Sequence, residues 1–358
     1  MIFTVLLFLV VLSILVFVHE AGHFFAARFM GIAVEEFGFG FPPRAFGIKR
    51  GETIYSINWI PLGGFVRLKG ETGGEKAHDS FASQALWKRL IVLLAGVTMN
   101  VVLAAVLLSV GFAIGVPQEV GGALPAGARV RDHAVRIEAV LPETPAATAG
   151  FVVGDTLRTV EGIPVESTEG FRAQLAQRQG QATAIQIERD SGMQMLTVTP
   201  EVLAETYAPG IGVGLIETGI VSYPWYFAPV AGARATVSYL GAMFASFGDL
   251  LTTLVRTGKP SADVAGPVGI AVLTGAVAKL GILYMLQFVA LLSLNLAVVN
   301  VLPIPALDGG RVLFLFIERI RGRAVSSNLE DRIHQIGFVL LLLLVAVVTF
   351  HDIGRLIR

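Results

Sequence analysis

The stretch LVFVHEAGHFFAARF, residues 15–29, places two histidines and a glutamate inside a hydrophobic helix. It overlaps residues 1–18, MIFTVLLFLVVLSILVFV, which are uncharged and almost entirely apolar. Together the two segments are long enough to cross a hydrocarbon core of ~30 Å. Because no basic residue precedes the apolar run and no cleavage-like boundary follows it, we interpret the segment as a retained membrane helix rather than a signal peptide.

The composition supports the same interpretation for the whole chain. Of its 358 residues, 54% are hydrophobic and 15% charged, whereas a soluble domain carries about 25% charged residues. There is no cysteine, so any metal ion must be bound by His, Asp or Glu. The 27 basic residues equal the 27 acidic residues, so no excess charge favours a nucleic-acid partner. We predict a polytopic α-helical membrane protein.

The hydropathy pattern predicts about four transmembrane helices. After the first, the uncharged residues 90–116 form a second, residues 282–302 a third, and residues 336–350, extended to Ile353, a shorter fourth. Residues 225–256 are apolar but contain Arg234 and Asp249. We interpret them as a juxtamembrane amphipathic helix, with a fifth span as the alternative.

A soluble α+β domain is predicted between the second and third spans. In residues 117–222, apolar and polar side chains alternate, as in VRIEAVL and TAIQIERD, and turn signals such as PETPAATAGF separate the segments. The predicted organisation is therefore a first membrane part at 1–116, the soluble domain at 117–222, and a second membrane part at 223–358.

Charged loops predict the orientation in the membrane. Cations are concentrated in residues 30–89 and 303–335, which we expect to be cytoplasmic. The soluble domain is acidic and is expected outside the cytoplasm. The cations are Arg44, Lys49, Arg50, Arg67, Lys69, Lys76, Lys88 and Arg89 in the first loop, and Arg311, Arg319, Arg321, Arg323 and Arg332 in the second; the acids include Asp190 and Glu205.

The motif HEAGH predicts a metal site in the first span. His19 and His23 are four residues apart, so both imidazoles lie on one helical face and can bind one Zn²⁺. Glu20 then lies beside the open position of the metal, where it can act as a general base. Two hydrogen-bonded core histidines are the alternative, but an unpaired ionisable group is costly in a membrane and is usually functional. Ala21 and Gly22 leave room for a second helix.

A third ligand is predicted where the third span ends, in LNLAVVNVLPIPALDGGR. Spans one and three run in the same direction, so their ends meet on one side of the membrane. Asp308 is the one carboxylate in this stretch, and it follows two prolines that interrupt the helix. We nominate it as the third ligand; capping of the following helix is the alternative. A fifth span would reverse the third span and separate Asp308 from the histidines.

Two amides near this end are further candidates. Asn300 is expected to bind an unfolded peptide or a tetrahedral intermediate, whereas substrate binding and simple helix-to-helix hydrogen bonding remain open for Asn295. The other histidines are poorer metal ligands. We expect His78 and His133 in polar or soluble regions, and His334 and His351 at the membrane interface flanking the fourth span.

The chain contains HEAGH in its first span and NVLPIPALDGG in its third. These two motifs, in this order, resemble the site-2 protease family of intramembrane zinc metalloproteases, in particular its bacterial RseP-like branch. The similarity extends to EEFGFGFPP, IPLGGFVRLKGE, AGVTMN and AGPVGI, and thus covers nearly the whole chain. The resemblance implies Zn²⁺ held by His19, His23 and Asp308, and water activation by Glu20. It also implies that Asn300, Pro303 and Pro305 lie near the substrate peptide.

The resemblance further implies a single PDZ-like domain, because PETPAATAGFVVGDTLRTVEGIPV is similar to the corresponding stretch of bacterial PDZ domains. Regulated intramembrane proteolysis is the implied process, and the bacterial inner membrane the implied location. The expected substrates are single-span proteins, such as anti-sigma factors or remnant signal peptides, that another protease has already trimmed.

Substrate unwinding would need a template. Residues 52–70, ETIYSINWIPLGGFVRLKG, alternate like a hairpin whose edge could capture substrate by strand addition, with a purely structural hairpin as the alternative. A different function, transport or binding of metal ions or protons through buried His and Asp, remains the alternative to proteolysis.

Overall fold

The computed structural model describes residues 2–71, 77–121, 127–189, 192–203, 209–258, 265–323 and 325–357. Lys76, Asp190 and Glu205, which contributed to the predicted orientation, lie outside the described residues. The chain divides into two compact units. The helical unit comprises residues 1–110 and 229–358, and the inserted unit comprises residues 111–228.

Nine α-helices form within the described residues. They are α1 (Ile2–Phe29), α2 (Leu86–Ile114), α3 (Pro145–Ala149), α4 (Thr168–Ala176), α5 (Ala228–Thr257), α6 (Pro267–Leu280), α7 (Ile282–Val301), α8 (Asp308–Arg321) and α9 (Ser327–Ile357). Five of them, α1, α2, α5, α7 and α9, are long and apolar enough to cross a membrane. The membrane class predicted from composition is confirmed.

The structure differs from the predicted helices at three places. Helix α9 begins at Ser327 rather than at residue 336, because the polar residues before its apolar run include good helix formers. Helix α6 was not predicted, since its 14 residues are fewer than a span requires. Helix α5, predicted as amphipathic and juxtamembrane, also meets the length and composition of a span.

A bent β-hairpin follows α1. It consists of β1 (Val34–Arg50) and β2 (Thr53–Leu68). The first half of β1, residues 36–39, lies between two parts of β2: residues 64–67 on one side and residues 54–57 on the other. The second half of β1, residues 44–50, pairs with residues 53–58 of β2. Residues 64–68 therefore form an outer edge of this small sheet. Gly63 lies directly on α1, because a Cβ there would come 2.6 Å from Val16 Cγ1.

A seven-stranded antiparallel sheet dominates the inserted unit. Its order is β3-β11-β4-β5-β7-β8, with β6 beside β5; β9 and β10 form a separate two-residue pair. The strands are β3 (Val116–Glu119), β4 (Arg129–Val140), β5 (Thr156–Val160), β6 (Ile163–Pro164), β7 (Thr183–Arg189), β8 (Gly192–Val198), β9 (Glu201–Val202), β10 (Pro209–Gly210) and β11 (Val213–Ser222).

The core of the inserted unit follows from the predicted alternation. In β7, Thr183, Ile185 and Ile187 are buried and the intervening residues are not, as the period of two in a strand requires. Phe171 and Leu175 of α4 lie four residues apart and complete the same apolar cluster. Burial of these side chains provides the main stabilisation of this unit.

Candidate metal centre

Helix α1 brings its two histidines together on one face. The Nε2 atoms of His19 and His23 are 3.2 Å apart, and both side chains are buried. This is the arrangement expected for residues one helical turn apart. The two imidazoles therefore present lone pairs to the same point.

Asp308 completes a group of three ligand atoms. Its Oδ2 atom lies 3.0 Å from His19 Nε2 and 3.4 Å from His23 Nε2. Asp308 is the first residue of α8, while Leu307 occupies the N-cap position. The carboxylate of Asp308 thus faces the histidines, and no side chain of the described residues caps the start of α8.

The geometry of the three atoms fits a zinc ion. Ligand atoms at 2.0–2.1 Å from a tetrahedral Zn²⁺ are separated by roughly 3.3 Å, close to the distances observed between the His19, His23 and Asp308 atoms. Asp308 Oδ2 is also buried without a hydrogen-bond partner. A buried carboxylate oxygen of this kind is costly unless a cation balances it, so the donor set suits Zn²⁺ chemically as well as geometrically.

Hydrogen bonds on the far side of each imidazole orient the rings. His23 Nδ1 lies 2.8 Å from the carbonyl oxygen of Val92, so Nδ1 carries the proton and Nε2 is free to bind a metal. His19 Nδ1 lies 3.2 Å from the amide of Asn100, whose Oδ1 is buried without a partner. With the amide turned by about 180°, Oδ1 accepts a hydrogen bond from His19 Nδ1–H, which leaves His19 Nε2 free in the same way.

Glycines let α2 approach the histidines. A Cβ at Gly96 would come 2.3 Å from His23 Nε2 and 2.7 Å from His19 Cε1, so any larger residue would occupy the metal position. The room predicted at Gly22 is used by the same helix, since a Cβ there would come 2.4 Å from the Ala95 carbonyl oxygen. Close helix approach through small residues is common in membrane proteins.

Glu20 is held by the edge of the hairpin. Its Oε2 atom accepts a hydrogen bond of 3.1 Å from the backbone N–H of Val66 in β2. The adjacent histidines are on the same helix, one and three residues away. The carboxylate is therefore fixed both beside the metal position and beside an outer strand edge.

Arg311 is charged but engaged elsewhere. It lies one turn after Asp308 in α8 and forms a salt bridge with Glu71. Burial lowers the pKa of Arg311, but the Glu71 carboxylate outweighs this effect and raises the pKa above its ordinary value. Glu71 thus neutralises the guanidinium, and the carboxylate of Asp308 remains directed to the histidines.

The other predicted site residues lie in α7 and in the loop that follows it. Asn300 is partly exposed in the last turn of α7, and Pro303 is exposed just after it. Asn295 is exposed and lines an apolar cavity of about 260 Å³ between α1, α6 and α7. Pro305 packs against α9 at Gly337.

Of the remaining histidines, one contacts the loop that precedes Asp308. His133 lies 3.2 Å from Glu217 in the inserted unit, and His351 is exposed. His334, which we predicted at the membrane interface, accepts a hydrogen bond on Nδ1 from the backbone N–H of Ala306, two residues before Asp308. Hydropathy alone could not detect a contact made across the bundle.

Two residues of the centre, Gly96 and Asn100, were not predicted. Both belong to AGVTMN, which was identified only as part of the family resemblance. A polar amide at Asn100 inside an otherwise uncharged span was the available signal, because such a group must find a partner in hydrocarbon. No comparable signal marks Gly96, since glycine is common in membrane helices.

Comparison with known proteins gives a family match over most of the chain. The model of peptidase family M50 matches residues 7–344. A Clostridium perfringens protein, named as a candidate zinc metalloprotease, is 34% identical over 96% of this chain and 97% of its own length. The zinc metalloprotease RasP of Geobacillus kaustophilus is 32% identical over 98% of each chain. The regulator of sigma-W protease RasP of Bacillus subtilis is 30% identical over 99% of each.

Among solved structures, a PDZ domain from a Listeria monocytogenes SdrC-like protein matches 26% of this chain and 93% of its own length, with 18% identity and a TM-score of 0.22.

Proposed function

Because the chain belongs to peptidase family M50 and is an intramembrane zinc metalloprotease of the site-2 protease type, we propose that His19, His23 and Asp308 hold its zinc ion and that Glu20 is the general base. The observation that carries this proposal is the convergence of the three ligand atoms within 4.8 Å of one another. The resemblance found in the motifs HEAGH and ALDGGR implies the same assignment.

The surrounding side chains suit peptide hydrolysis. A bound zinc ion lowers the pKa of its water to about 7. Glu20 would accept a proton from the attacking water on Oε1, because Oε2 is engaged by the Val66 amide, and would pass it to the nitrogen of the leaving amine. We assign Asn300 a role in binding the substrate peptide, together with Asn295, Pro303 and Pro305.

The strand edge beside Glu20 provides a place for the unwound substrate. A peptide bond in a membrane helix is protected by its own hydrogen bonds, so the substrate must adopt an extended conformation before hydrolysis. Residues 64–68 form an outer edge of the hairpin, and the Val66 amide on this edge contacts Glu20. We therefore propose that an extended substrate segment adds to this edge and is thereby aligned with the general base.

The substrates we propose are membrane proteins with a single span. Anti-sigma factors are favoured by the name of the Bacillus subtilis relative, which ties that protein to the regulation of sigma-W; remnant signal peptides are a second class. An upstream site-1-type protease would trim their outer portion. We propose that the inserted unit, predicted to be PDZ-like, receives or filters the trimmed end.

Charge distribution supports a location in the bacterial inner membrane with the metal site near the cytoplasmic face. The cationic segments 30–89 and 303–335 follow the C-terminal ends of α1, which carries His19 and His23, and of α7, which precedes the loop to Asp308. The inserted unit would then lie outside the cytoplasm.

Two substitutions test the site. In Glu20→Gln, cleavage of a single-span model substrate by the purified full-length protein should fall by about 10²–10⁴-fold, while the zinc content stays equal to wild type. In Asp308→Ala, both zinc and cleavage should be lost, because two imidazoles alone hold the ion weakly.

Glu35→Gln is the matched control, since Glu35 is an exposed glutamate near the same helix and its substitution should leave both quantities unchanged. Wild-type cleavage by Glu20→Gln would exclude Glu20 as the base. Full zinc content in Asp308→Ala would exclude Asp308 as a ligand.

A further inference from the structure

The loop between α7 and α8 delivers Asp308 to the histidines, and its backbone is constrained. Ala306 has a φ of 78° although it is not glycine. An L-residue avoids this left-handed region unless the surrounding structure holds it there. The position of Asp308, two residues later, therefore depends on contacts that fix the loop.

The end of the loop at α8 is fixed by its own glycines. A Cβ at Gly309 would come 2.2 Å from the Leu302 carbonyl oxygen, and one at Gly310 would come 2.4 Å from the Ile304 carbonyl oxygen. These contacts pack the start of α8 onto the end of α7. They do not reach the N–H of Ala306.

Helix α9 holds the middle of the loop through two residues on one face. His334 and Gly337 are three residues apart, so they lie on neighbouring turns of the same side. His334 Nδ1 accepts a hydrogen bond of 2.9 Å from Ala306 N–H. At Gly337 the helix backbone lies directly on Pro305, because a Cβ there would come 2.4 Å from Pro305 Cβ.

The imidazole at position 334 acts here as a hydrogen-bond acceptor. Since Nδ1 accepts from the Ala306 amide, the ring proton of the neutral side chain is on Nε2. The ring also packs against Phe314 of α8, with centroids 5.6 Å apart. His334 thus connects three segments: α9, α8 and the loop that carries Asp308.

We propose that His334 is a positioning residue for the metal ligand Asp308, and that α9 fixes the geometry of the metal centre without contributing a ligand. Loss of the acceptor would leave Ala306 N–H without its partner and release the left-handed turn. Asp308 would then sample positions away from the two imidazoles, which weakens binding of the ion. This inference rests on the proposed ligand role of Asp308.

The test compares variants that separate the acceptor from the bulk of the ring. His334→Phe keeps an aromatic ring and removes the acceptor. His334→Asn restores an acceptor oxygen at the position of Nδ1, one bond from Cγ. The matched control is His351→Phe, which makes the same change at an exposed histidine of the same helix.

Two readouts on the purified full-length protein do not depend on cleavage. They are the dissociation constant for zinc, measured by competition with a chelator, and the visible absorption spectrum of the Co²⁺-loaded protein. His334→Phe should weaken zinc binding by about 10–100-fold, the range seen when groups that orient metal ligands are removed, and should alter the cobalt spectrum. His334→Asn should stay within a few-fold of wild type, and His351→Phe should match it.

Wild-type zinc affinity and an unchanged cobalt spectrum in His334→Phe would overturn the proposal. So would an equal loss in His334→Asn, because the ring rather than its acceptor would then be required. If His334→Phe does not fold, His334→Gln replaces it: its oxygen is one bond too far from Cγ, so it should be weaker than His334→Asn, and equal affinities would refute the acceptor role. Asp308→Ala, measured in parallel, separates the two claims: zinc retained there would refute the ligand assignment itself.

Discussion

Two aspartates, one in each unit, differ in the groups that surround their carboxylates. Asp155 of the inserted unit is buried, and Arg189 donates to it from Nε and from a terminal nitrogen, each at 2.7 Å. The Val152 amide donates a third hydrogen bond at 3.0 Å. The charge of Asp155 is thus balanced entirely by its own unit.

Asp308 of the helical unit has no such balance. Its neighbours within 3.4 Å are imidazole nitrogens, and Arg311, one turn further along, is paired with Glu71. Lone pairs from three side chains therefore face one another, an arrangement that a cation stabilises. The buried carboxylate that is paired with a guanidinium has a structural role, whereas the one that faces two histidines suits the proposed metal site.

The largest effect on the proposed metal centre is expected from a substitution that places a side-chain atom at the metal position. In Gly96→Ala, the new Cβ would lie 2.3 Å from His23 Nε2, so the imidazole must move and the ligand set is disrupted. We expect zinc content and cleavage to be lost, as measured by metal analysis and by hydrolysis of a single-span substrate.

Gly232→Ala is a matched control for helix packing. It introduces a similar clash, 2.6 Å from the Ser109 backbone nitrogen, where α5 meets α2, but it touches no proposed ligand. Zinc should be retained in this variant. Equal zinc loss in both variants would mean that general loosening of the helices, and not the blocked metal position, explains the effect of Gly96→Ala.

Asp155 provides the second prediction, which concerns stability alone. Burial raises the pKa of Asp155, but Arg189 and the Val152 amide outweigh it and lower the pKa below its usual range. The carboxylate therefore stabilises the inserted unit above the unfolded pKa of about 3.9, and this stabilisation is lost as the pH falls through the lower folded value. Asp155→Asn should cost about 3 kcal/mol at neutral pH, because it leaves a guanidinium poorly paired.

Hydrogen exchange of β5 and β7 amides in the full-length protein, corrected for intrinsic exchange rates, measures this cost. The gap between wild type and Asp155→Asn should be largest near about pH 7 and smaller near about pH 3. Zinc content should be unchanged. A gap of the same size at both pH values would show that the Asp155 charge is not what stabilises the unit.

The parts of the structure that could be predicted from the sequence are those that depend on local patterns. The alternation in β7 and the apolar runs of α1 and α2 are local patterns, and they predicted strands and spans because each residue's environment follows from its neighbours in the chain. HEAGH is also local, so the pairing of His19 with His23 could be predicted from spacing alone.

Contacts between segments distant in the chain could be predicted only where the proposed chemistry required a partner residue. Asp308 could be nominated because a metal needs a third ligand, although most of the chain separates it from His23. The contact of His334 with Ala306 has no such requirement behind it, so the hydropathy pattern that predicted an interfacial position for this histidine did not reveal the contact. Helix α6 was missed for a related reason, since it packs against α1 and α7 without having the length of a span.

The smallest effect on zinc affinity is expected at Asn100, which contacts the proposed ligand His19. The side-chain amide of Asn100 lies 3.2 Å from His19 Nδ1, and the backbone carbonyl oxygen of Asn100 accepts a hydrogen bond of 2.8 Å from the Ser293 hydroxyl of α7. In Asn100→Ala, His19 keeps its place on α1 but loses the partner that fixes its tautomer. Zinc affinity should then fall by about 10-fold, at the low end for removal of such a partner. Asn100→Asp should retain or strengthen binding, because a carboxylate is a better acceptor for His19 Nδ1–H. The expected result is a zinc dissociation constant that is lowered by Asp and raised by Ala at this position. It would show that a bound cation balances the charge of the proposed metal centre, whereas Arg189 balances the charge of Asp155.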